Sequence, residues 1–120
     1  MQMAGAILLG LSLLSATGTI AARSSAIETV RVVRAIDLPQ EARQTLALIR
    51  QGGPFPYSRD GVVFANREGR LPQASRGTYR EYTVPTPGHR ERGPRRIIAA
   101  GINQFWYTAD HYRSFRQIVE

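Results

Sequence analysis

Four side chains of this sequence are of the types that a metal-independent reaction at phosphorus requires: Glu81, Arg92, Arg96 and His111. Such a reaction needs a base for the attacking hydroxyl, an acid for the departing oxygen, and fixed positive charge around the phosphorus. A carboxylate can be the base, and an imidazole, which is readily protonated under mildly acidic to neutral conditions, can be the acid. Guanidinium groups match phosphate oxygens and also favour the ionised form of a neighbouring carboxylate.

Each of these residues also has an ordinary structural explanation. A glutamate on a strand beside arginines is more often part of a cross-strand ion pair than a catalytic base. A lone histidine next to Asp110 and a tyrosine is more often a satisfied surface or core residue. Residue types alone therefore favour the structural explanation. Only the order of these residues along the chain can distinguish it from a catalytic role.

The elements that position these residues begin with a strand and a helix. Residues 30–36 are rich in β-branched side chains and predict a short edge strand. The following helix is expected to be capped by Asp37, to have Pro39 in its first turn and to end at Gly52 and Gly53. The side chains spaced to face a core are Leu38, Ala42, Thr45, Leu46 and Ile49.

The rest of the chain predicts a loop and an antiparallel sheet. Residues 54–77 are rich in proline and glycine and are expected to form a long structured loop, which in a compact domain usually has a function. Strands are then predicted at residues 78–84, 95–100, 105–108 and 115–119, with a turn at residues 87–88 between the first two. The predicted fold is α+β, with one N-terminal helix packed on one face of an antiparallel sheet and the other face free to bind a ligand.

Composition narrows the class of partner and of chemistry. The 120-residue chain has 16 basic residues, all arginine, and a formal net charge of +7. This balance suits a polyanionic partner, although a solvated basic surface without a ligand is an equally good explanation of charge alone. The absence of cysteine excludes thiolate chemistry, and two histidines are too few for most zinc sites, so we expect no metal and no cofactor.

The N-terminal segment has the pattern of an export signal. Residues 3–14 are apolar or small apart from Ser12, the first charged side chain is Arg23, and small residues at 19–22 offer a cleavage site. The apolar run is too short to span a membrane. We therefore expect a signal peptide at residues 1–22, an N-terminal extension with an edge strand at 23–37, and the main domain at 38–120. An N-terminal membrane anchor or a wrongly chosen start codon remains the alternative.

Six stretches, in order along the chain, together resemble one family of enzymes. They favour a catalytic role for these residues over the structural explanation. They are GPFPYS at 53–58, DGVVF at 60–64, NRE at 66–68, EYTV at 81–84, RG at 92–93 with RRII at 95–98, and YT at 107–108 with DHY at 110–112. These stretches closely resemble the guanyl-specific microbial ribonucleases of the ribonuclease Sa type, with barnase and binase as more distant relatives. The similarity runs from about Leu38 to Phe115. It implies the microbial ribonuclease fold and an endoribonuclease that cleaves single-stranded RNA 3′ of guanosine through a 2′,3′-cyclic phosphate. From the export signal we expect a secreted protein, and a monomer is the default expectation.

The same resemblance implies roles for individual catalytic residues. Glu81 corresponds to the family's general base and His111 to its general acid. Arg92 and Arg96 match the arginines that bind the scissile phosphate, and Tyr112 matches a tyrosine that also contacts the phosphate. No cofactor is implied, since the nucleophile is the 2′-hydroxyl of the substrate.

The guanine-binding residues are implied in the same way. Glu68 matches the carboxylate that accepts hydrogen bonds from N1–H and the exocyclic amine of guanine, a donor pair that no other common base presents on that edge. Backbone amides around Asn66 and Arg67 can donate to O6, and Phe64 can stack on the base. Tyr57 either contacts the substrate or serves only in packing.

The sequence departs from the family pattern at three places. Arg34 lies in the region of the first cysteine of the usual disulfide and the chain stops before the second, so we expect lower stability. Ala65 replaces a longer polar residue beside the guanine loop, so base recognition is expected to be looser. Arg59 and other arginines make the surface more basic, which should strengthen RNA binding and its dependence on salt.

Two alternative functions remain at this point. One is a ribonuclease toxin domain with the same chemistry, for which the resemblance implies an acidic, barstar-like immunity protein as the partner. The other is a non-catalytic RNA-binding module, although all four catalytic positions are filled.

Overall fold

The computed structural model describes residues 31–120, together with Gly10. The signal peptide expected at residues 1–22 lies outside the described residues, except for Gly10, and so does Val30 of the predicted edge strand. In the described range the elements are β1 (Val32–Arg34), a 3-10 turn (Ala35–Asp37), α1 (Gln40–Gln51), β2 (Val62–Val63), β3 (Tyr79–Thr83), β4 (Arg96–Ala100), β5 (Gln104–Thr108) and β6 (Arg116–Val119). None of the helices in this range is long and apolar enough to cross a membrane.

The strands form one sheet, and α1 packs against one of its faces. Within residues 31–120 the sheet has six strands in the order β1-β6-β5-β4-β3-β2. The pairs from β2 to β6 are antiparallel, and β1 pairs with β6 in parallel. The predicted α+β fold is therefore confirmed, and the N-terminal strand does lie at an edge of the sheet.

The helix buries the predicted stripe but does not begin as predicted. Ala42, Thr45, Leu46 and Ile49 are buried, as is Leu38 just before the helix. The prediction of Asp37 as the cap was wrong, because Asp37 belongs to the 3-10 turn and the N-cap is Pro39. The Pro39 carbonyl accepts hydrogen bonds from the backbone amides of Ala42 and Arg43, at 3.0 Å each. Leu38 and Pro39 are extended, so the chain separates Asp37 from the first turn of α1.

Alternation along the strands gives each face of the sheet its own core. Ile97, Ala99, Phe105 and Tyr107 belong to the cluster that packs beneath α1. The neighbouring positions on the strands face the other way and form a second cluster of Leu71, Tyr79, Ile98 and Trp106. Because β3 has the same period, Glu81 and Thr83 share the face of Tyr79, opposite the helix. The long loop covers only part of that second face.

The long loop at residues 54–77 is tied to the sheet at two places. Its Val62 and Val63 form β2 and pair with Glu81 and Arg80 of β3. Asp60 accepts hydrogen bonds from the backbone amides of Tyr57, at 3.1 Å, and of Thr83, at 2.7 Å. These bonds hold the first turn of the loop beside the strand that contains Glu81.

Candidate functional site

Glu81 is a buried carboxylate in the middle of β3, with 7% of its surface exposed. Its Oε1 accepts a hydrogen bond from Arg92 Nη2 at 3.2 Å, and its Oε2 accepts one from the Tyr112 hydroxyl at 3.0 Å. Arg59 Nε lies 4.0 Å from Oε1. Burying a carboxylate is costly unless it is paired, so these guanidinium and hydroxyl partners offset the cost of burying Glu81. Each oxygen still has lone-pair capacity to accept a proton.

The two arginines near Glu81 are both held in place by the protein. Arg92 Nε donates to Thr83 Oγ1 at 2.9 Å while its Nη2 reaches Glu81. Arg96 is 3% exposed and donates from Nε to the Tyr112 hydroxyl at 3.1 Å. Its Nη1 donates to the carbonyls of Gly93 and Arg95, at 2.7 Å each. The bonds formed within residues 31–120 do not use Arg92 Nη1 or Arg96 Nη2, which can therefore bind an anion.

His111 projects from a tight loop whose backbone conformation is unusual. His111 and Tyr112 have φ angles of 56° and 71°, in the left-handed region that costs free energy for residues with a side chain. The His111 amide donates to the Pro94 carbonyl at 3.0 Å, and the Tyr112 amide donates to Thr108 Oγ1 at 3.1 Å. These bonds overcome the local preference and orient the two side chains toward the sheet face that contains Glu81.

Asp110 organises the same loop. Its Oδ1 accepts hydrogen bonds from Thr108 Oγ1 and from the Ser114 amide, both at 2.9 Å, and its Oδ2 accepts one from Ser114 Oγ at 2.6 Å. Desolvation opposes ionisation of Asp110, but the hydrogen bonds from Ser114 and Thr108 outweigh it and hold its pKa at about 2. Asp110 is therefore ionised at neutral pH and acts as a structural acceptor beside His111.

Tyr112 links the separate parts of the site. Its hydroxyl donates to Glu81 and accepts from Arg96, and its ring stacks on Phe64 with the centroids 5.4 Å apart. Burial raises the pKa of Tyr112, and the charge of Glu81 adds to this effect, so the phenol keeps its proton at neutral pH.

Two cavities adjoin this network. The first, which we call the His111 cleft, has a volume of about 600 Å³ and is lined by Tyr57, Arg92, Arg96, His111 and the neighbouring residues 90, 91 and 93. The second, the Phe64 pocket, has a volume of about 170 Å³ and is lined by Phe64, residues 65–68, Tyr112 and Phe115. Tyr112 lines the second cavity while it bonds to Glu81 beside the first, so the two cavities belong to one site.

The loop at residues 65–71 shapes the Phe64 pocket. Asn66 has a φ of 53°, and its side chain bonds both the amide and the carbonyl of Leu71, at 3.1 and 3.0 Å. The Asn66 side chain therefore serves the loop, which leaves the backbone around it to face a ligand. Glu68 is exposed and forms an ion pair with Arg70. A ligand that binds the Glu68 carboxylate must share it with Arg70 or displace that side chain.

The structure brings all ten candidate residues around these two cavities. Those at the His111 cleft and its network are Tyr57, Glu81, Arg92, Arg96, His111 and Tyr112, and those at the Phe64 pocket are Phe64, Asn66, Arg67 and Glu68. A carboxylate, an imidazole and several guanidinium groups around one cleft are suited to acid–base transfer at an anionic phosphate ester. Their roles in a reaction remain predictions.

Three residues of the site are not among the candidates that the sequence predicts. Arg59 is expected only to add surface charge, yet its guanidinium approaches Glu81. Thr83 accepts from Arg92, and Asp60 anchors the turn that contains Arg59 to β3. The alternation in β3 signals that Thr83 shares a face with Glu81, but no local pattern indicates the approach of Arg59, because it depends on a contact across 22 residues of loop and strand.

Comparisons with known proteins agree on one family. The family model described as ribonuclease matches residues 21–119. The chain is 54% identical over 87 residues to guanyl-specific ribonuclease St of Saccharopolyspora erythraea, covering 72% of this chain and 86% of that protein. It is 60% identical over 82 residues to guanyl-specific ribonuclease Sa of Kitasatospora aureofaciens, covering 68% and 85%. The crystal structure of ribonuclease Sa2 with guanosine-2′-cyclophosphate superimposes with a TM-score of 0.71 at 48% identity, covering 75% of this chain and 96% of that one.

Proposed function

This chain belongs to the ribonuclease family, in its guanyl-specific Sa type, and on that premise we propose that it cleaves single-stranded RNA on the 3′ side of guanosine. The relatives named above are guanyl-specific ribonucleases, and one related structure holds a cyclic phosphate of guanosine. The protein is accordingly a guanyl-specific endoribonuclease that acts through a 2′,3′-cyclic phosphate. One observation supports placing this activity at the candidate site: the Glu81 carboxylate bonds Arg92 and Tyr112 beside the cleft that His111 lines.

In the first step, Glu81 takes the proton of the guanosine 2′-hydroxyl and the 2′-oxygen attacks the adjacent phosphorus. The bond from phosphorus to the 5′-oxygen of the next nucleotide breaks, and His111 gives its proton to that oxygen. The products are a 2′,3′-cyclic phosphate and a free 5′-hydroxyl. Roles reverse in hydrolysis, where His111 accepts a proton from water and Glu81 returns one to the 2′-oxygen.

Positive charge at the phosphorus comes from arginines. Arg92 and Arg96 each have a terminal nitrogen outside the bonds described above, and these nitrogens bind the non-bridging phosphate oxygens. Their positions are set before substrate arrives, so little free energy is spent on ordering them during the reaction. Arg59 adds a third guanidinium on the exposed side of Glu81. The Tyr112 hydroxyl, which stays protonated, donates to Glu81 in the free enzyme and to the phosphate once that carboxylate takes a proton.

Guanine binds in the Phe64 pocket. Its ring stacks on the face of Phe64 that is not stacked on Tyr112. Glu68 accepts from N1–H and the exocyclic amine after exchanging its contact with Arg70, and backbone amides at Asn66 and Arg67 donate to O6. Ala65 lines the same pocket with a methyl group, which gives no further polar contact to the base.

The decisive experiment uses an RNA oligonucleotide with a single guanosine and a matched oligonucleotide with adenosine at that position, both in excess EDTA. We expect cleavage of the first, with a cyclic phosphate on the 3′ side of the guanosine, and little cleavage of the second. Cleavage that requires magnesium, or that proceeds equally on both oligonucleotides, contradicts the proposal.

Two further proposals concern the protein outside its site. Residues 1–22 act as an export signal, and the mature protein is released as a secreted monomer. It keeps residues 23–37 as an extension before the catalytic domain at residues 38–120. An acidic inhibitor of the barstar kind covers the basic site, as an immunity protein does if the enzyme is a toxin. The first proposal is checked by N-terminal sequencing of the protein recovered from culture medium, and the second by inhibition with the product of a neighbouring acidic reading frame.

A further inference from the structure

A third cavity of about 810 Å³ adjoins the Phe64 pocket and has no part in the mechanism above. The two cavities share the backbone segment at residues 64–67 as a wall. The opposite wall of the larger cavity is formed by residues 73–76, and its floor by the buried side chains of Leu71 and Tyr79. We call it the Arg76 cleft. Its volume lies in the range of small-molecule and nucleotide sites.

The Arg76 cleft is positively charged. Arg67 and Arg76 both line it, and no aspartate or glutamate does. Among residues 31–120, neither arginine has a carboxylate within 4.0 Å, unlike Arg50, Arg59, Arg70 and Arg92. Two guanidinium groups without an acidic neighbour on the rim of one cavity favour an anionic ligand.

The position of the Arg76 cleft relative to the other two cavities indicates which anion it takes. Tyr112 lines the Phe64 pocket and bonds Arg96, which lines the His111 cleft, while residues 64–67 line both the Phe64 pocket and the Arg76 cleft. A further cavity of about 510 Å³ shares only Phe115 with the Phe64 pocket. With guanine in the Phe64 pocket and its 3′ phosphate in the His111 cleft, the Arg76 cleft is the unassigned cavity that shares most lining residues with the guanine pocket. The 5′ phosphate of the same guanosine is the anion that these two sites leave unbound.

We propose that the Arg76 cleft binds the nucleotide on the 5′ side of the cleaved guanosine, with Arg76 contacting the phosphate that joins the two nucleotides. This subsite rests on the proposed function, since it assumes guanine in the Phe64 pocket. The cleft recognises the phosphate more than the base, because the Tyr79 ring is buried and its hydroxyl bonds the Pro72 carbonyl, so it offers no open stacking surface. The subsite is therefore tolerant of sequence at the 5′ position.

The test compares three substrates that differ only on the 5′ side: GpU, its 5′-phosphorylated form pGpU, and the trinucleotide UpGpU. A contact between an exposed arginine and a phosphate predicts that kcat/KM for pGpU and UpGpU exceeds that for GpU by about two- to fivefold. Arg76→Gln should abolish this advantage and leave cleavage of GpU unchanged. Arg43→Gln removes the same charge from an exposed position of α1 and should leave the advantage intact.

The outcomes separate this inference from the function on which it rests. If GpU, pGpU and UpGpU are cleaved equally by the unmodified enzyme, or if Arg76→Gln lowers all three rates by the same factor, the subsite is wrong and the activity stands. If pGpU behaves like GpU while UpGpU is faster, the assignment of Arg76 to the phosphate is wrong. Failure to cleave any of the three after guanosine contradicts the proposed function itself.

Discussion

At the scale of single residues, the site depends on how a buried carboxylate is paired. Glu81 lies in the second face of the sheet, where an unpaired charge is costly. Arg92 and Tyr112 each bond one of its oxygens, and Arg96 bonds the Tyr112 hydroxyl in turn. In the proposed mechanism the groups that pair with the carboxylate also face the phosphate, so phosphate binding and proton transfer would be coupled through direct contacts.

Glu81→Gln and His111→Gln should each lower kcat/KM for a guanosine-containing oligonucleotide by about two to four orders of magnitude, as expected for loss of a general base or acid. Steady-state kinetics on the dinucleotide GpU measure the effect. Asp37→Asn removes a carboxylate from the exposed 3-10 turn and should leave the rate unchanged. A loss of less than tenfold in either site variant contradicts its role in proton transfer.

Glu68→Gln should reduce discrimination for guanine and leave the chemical step largely intact. Replacing one carboxylate oxygen by an amide removes an acceptor for the guanine N–H groups, which predicts a fall of about tenfold or more in the ratio of kcat/KM for GpU over ApU. Arg70→Gln is the matched control, because it removes the present partner of Glu68 and keeps the carboxylate. An unchanged ratio in Glu68→Gln contradicts the assignment of Glu68 to base recognition.

At the scale of elements, strands present Glu81 and Arg96 and loops complete the candidate site. Alternation in β3 and β4 places Glu81 and Arg96 on the face opposite α1. The loop after β5 brings His111 and Tyr112 over that face, with backbone angles that only its hydrogen bonds to Asp110, Thr108 and Pro94 sustain. The accuracy of the site therefore depends on the stability of this loop.

Asp110→Asn should loosen the His111 loop and weaken both stability and activity. The pKa of Asp110 is lowered in the folded protein from 3.8 to about 2. The stabilisation that ionised Asp110 gives the folded protein is therefore present above about pH 4 and is lost as the pH falls from about 4 toward 2. Because the side chain is exposed, we expect no more than about 1 kcal/mol of unfolding free energy from this carboxylate after allowing for solvent screening.

Urea denaturation of both proteins between pH 2 and pH 7 checks the Asp110 prediction. The unmodified protein should be more stable at pH 7, and the difference from Asp110→Asn should shrink as the solution approaches pH 2. Ser114→Ala removes one of the two Ser114 donors and should show a smaller effect of the same sign. A difference between the proteins that does not change with pH contradicts the assigned role of the charge.

At the scale of the whole molecule, one face of the sheet packs against α1 and the opposite face contains the candidate RNA-binding site. The cluster beneath α1 buries the apolar side chains of one sheet face, and the smaller cluster on the other face leaves several cavities, among them the three described above. Arginines line all three, within a chain whose net charge is +7. This excess of charge suits a polyanionic chain that crosses the face from one cavity to the next.

Binding of single-stranded RNA should weaken steeply as salt concentration rises. If about three phosphates are neutralised, the affinity falls on the order of tenfold between 50 and 200 mM salt, with a slope near −0.7 per phosphate. Titration with an oligonucleotide that carries 2′-deoxyguanosine measures binding without cleavage. A slope near zero indicates that the arginines do not bind phosphates and contradicts the arrangement of the site.

Local patterns in the sequence predicted most of the fold and the residues that the structure brings together at the candidate site. Strand alternation and helical spacing are set by residues close to one another in the chain. The alternation of residues 78–84 therefore predicts β3 and the face on which Glu81 lies. The spacing of apolar residues predicts α1 and its buried stripe. Ordered motifs indicated the family and, through it, the candidate residues. The predicted position of the cap was wrong, because Asp37 ends a 3-10 turn and Leu38 and Pro39 separate it from the helix.

Only the tertiary structure decided which side chains touch. The approach of Arg59 to Glu81, the link from Arg96 through the Tyr112 hydroxyl, the pairing of Glu68 with Arg70 and the cavity beside Arg76 have no signature in the sequence. The physical reason is that periodicity determines the face on which a side chain lies, whereas hydrogen bonds over a few ångströms depend on how loops close across the sheet.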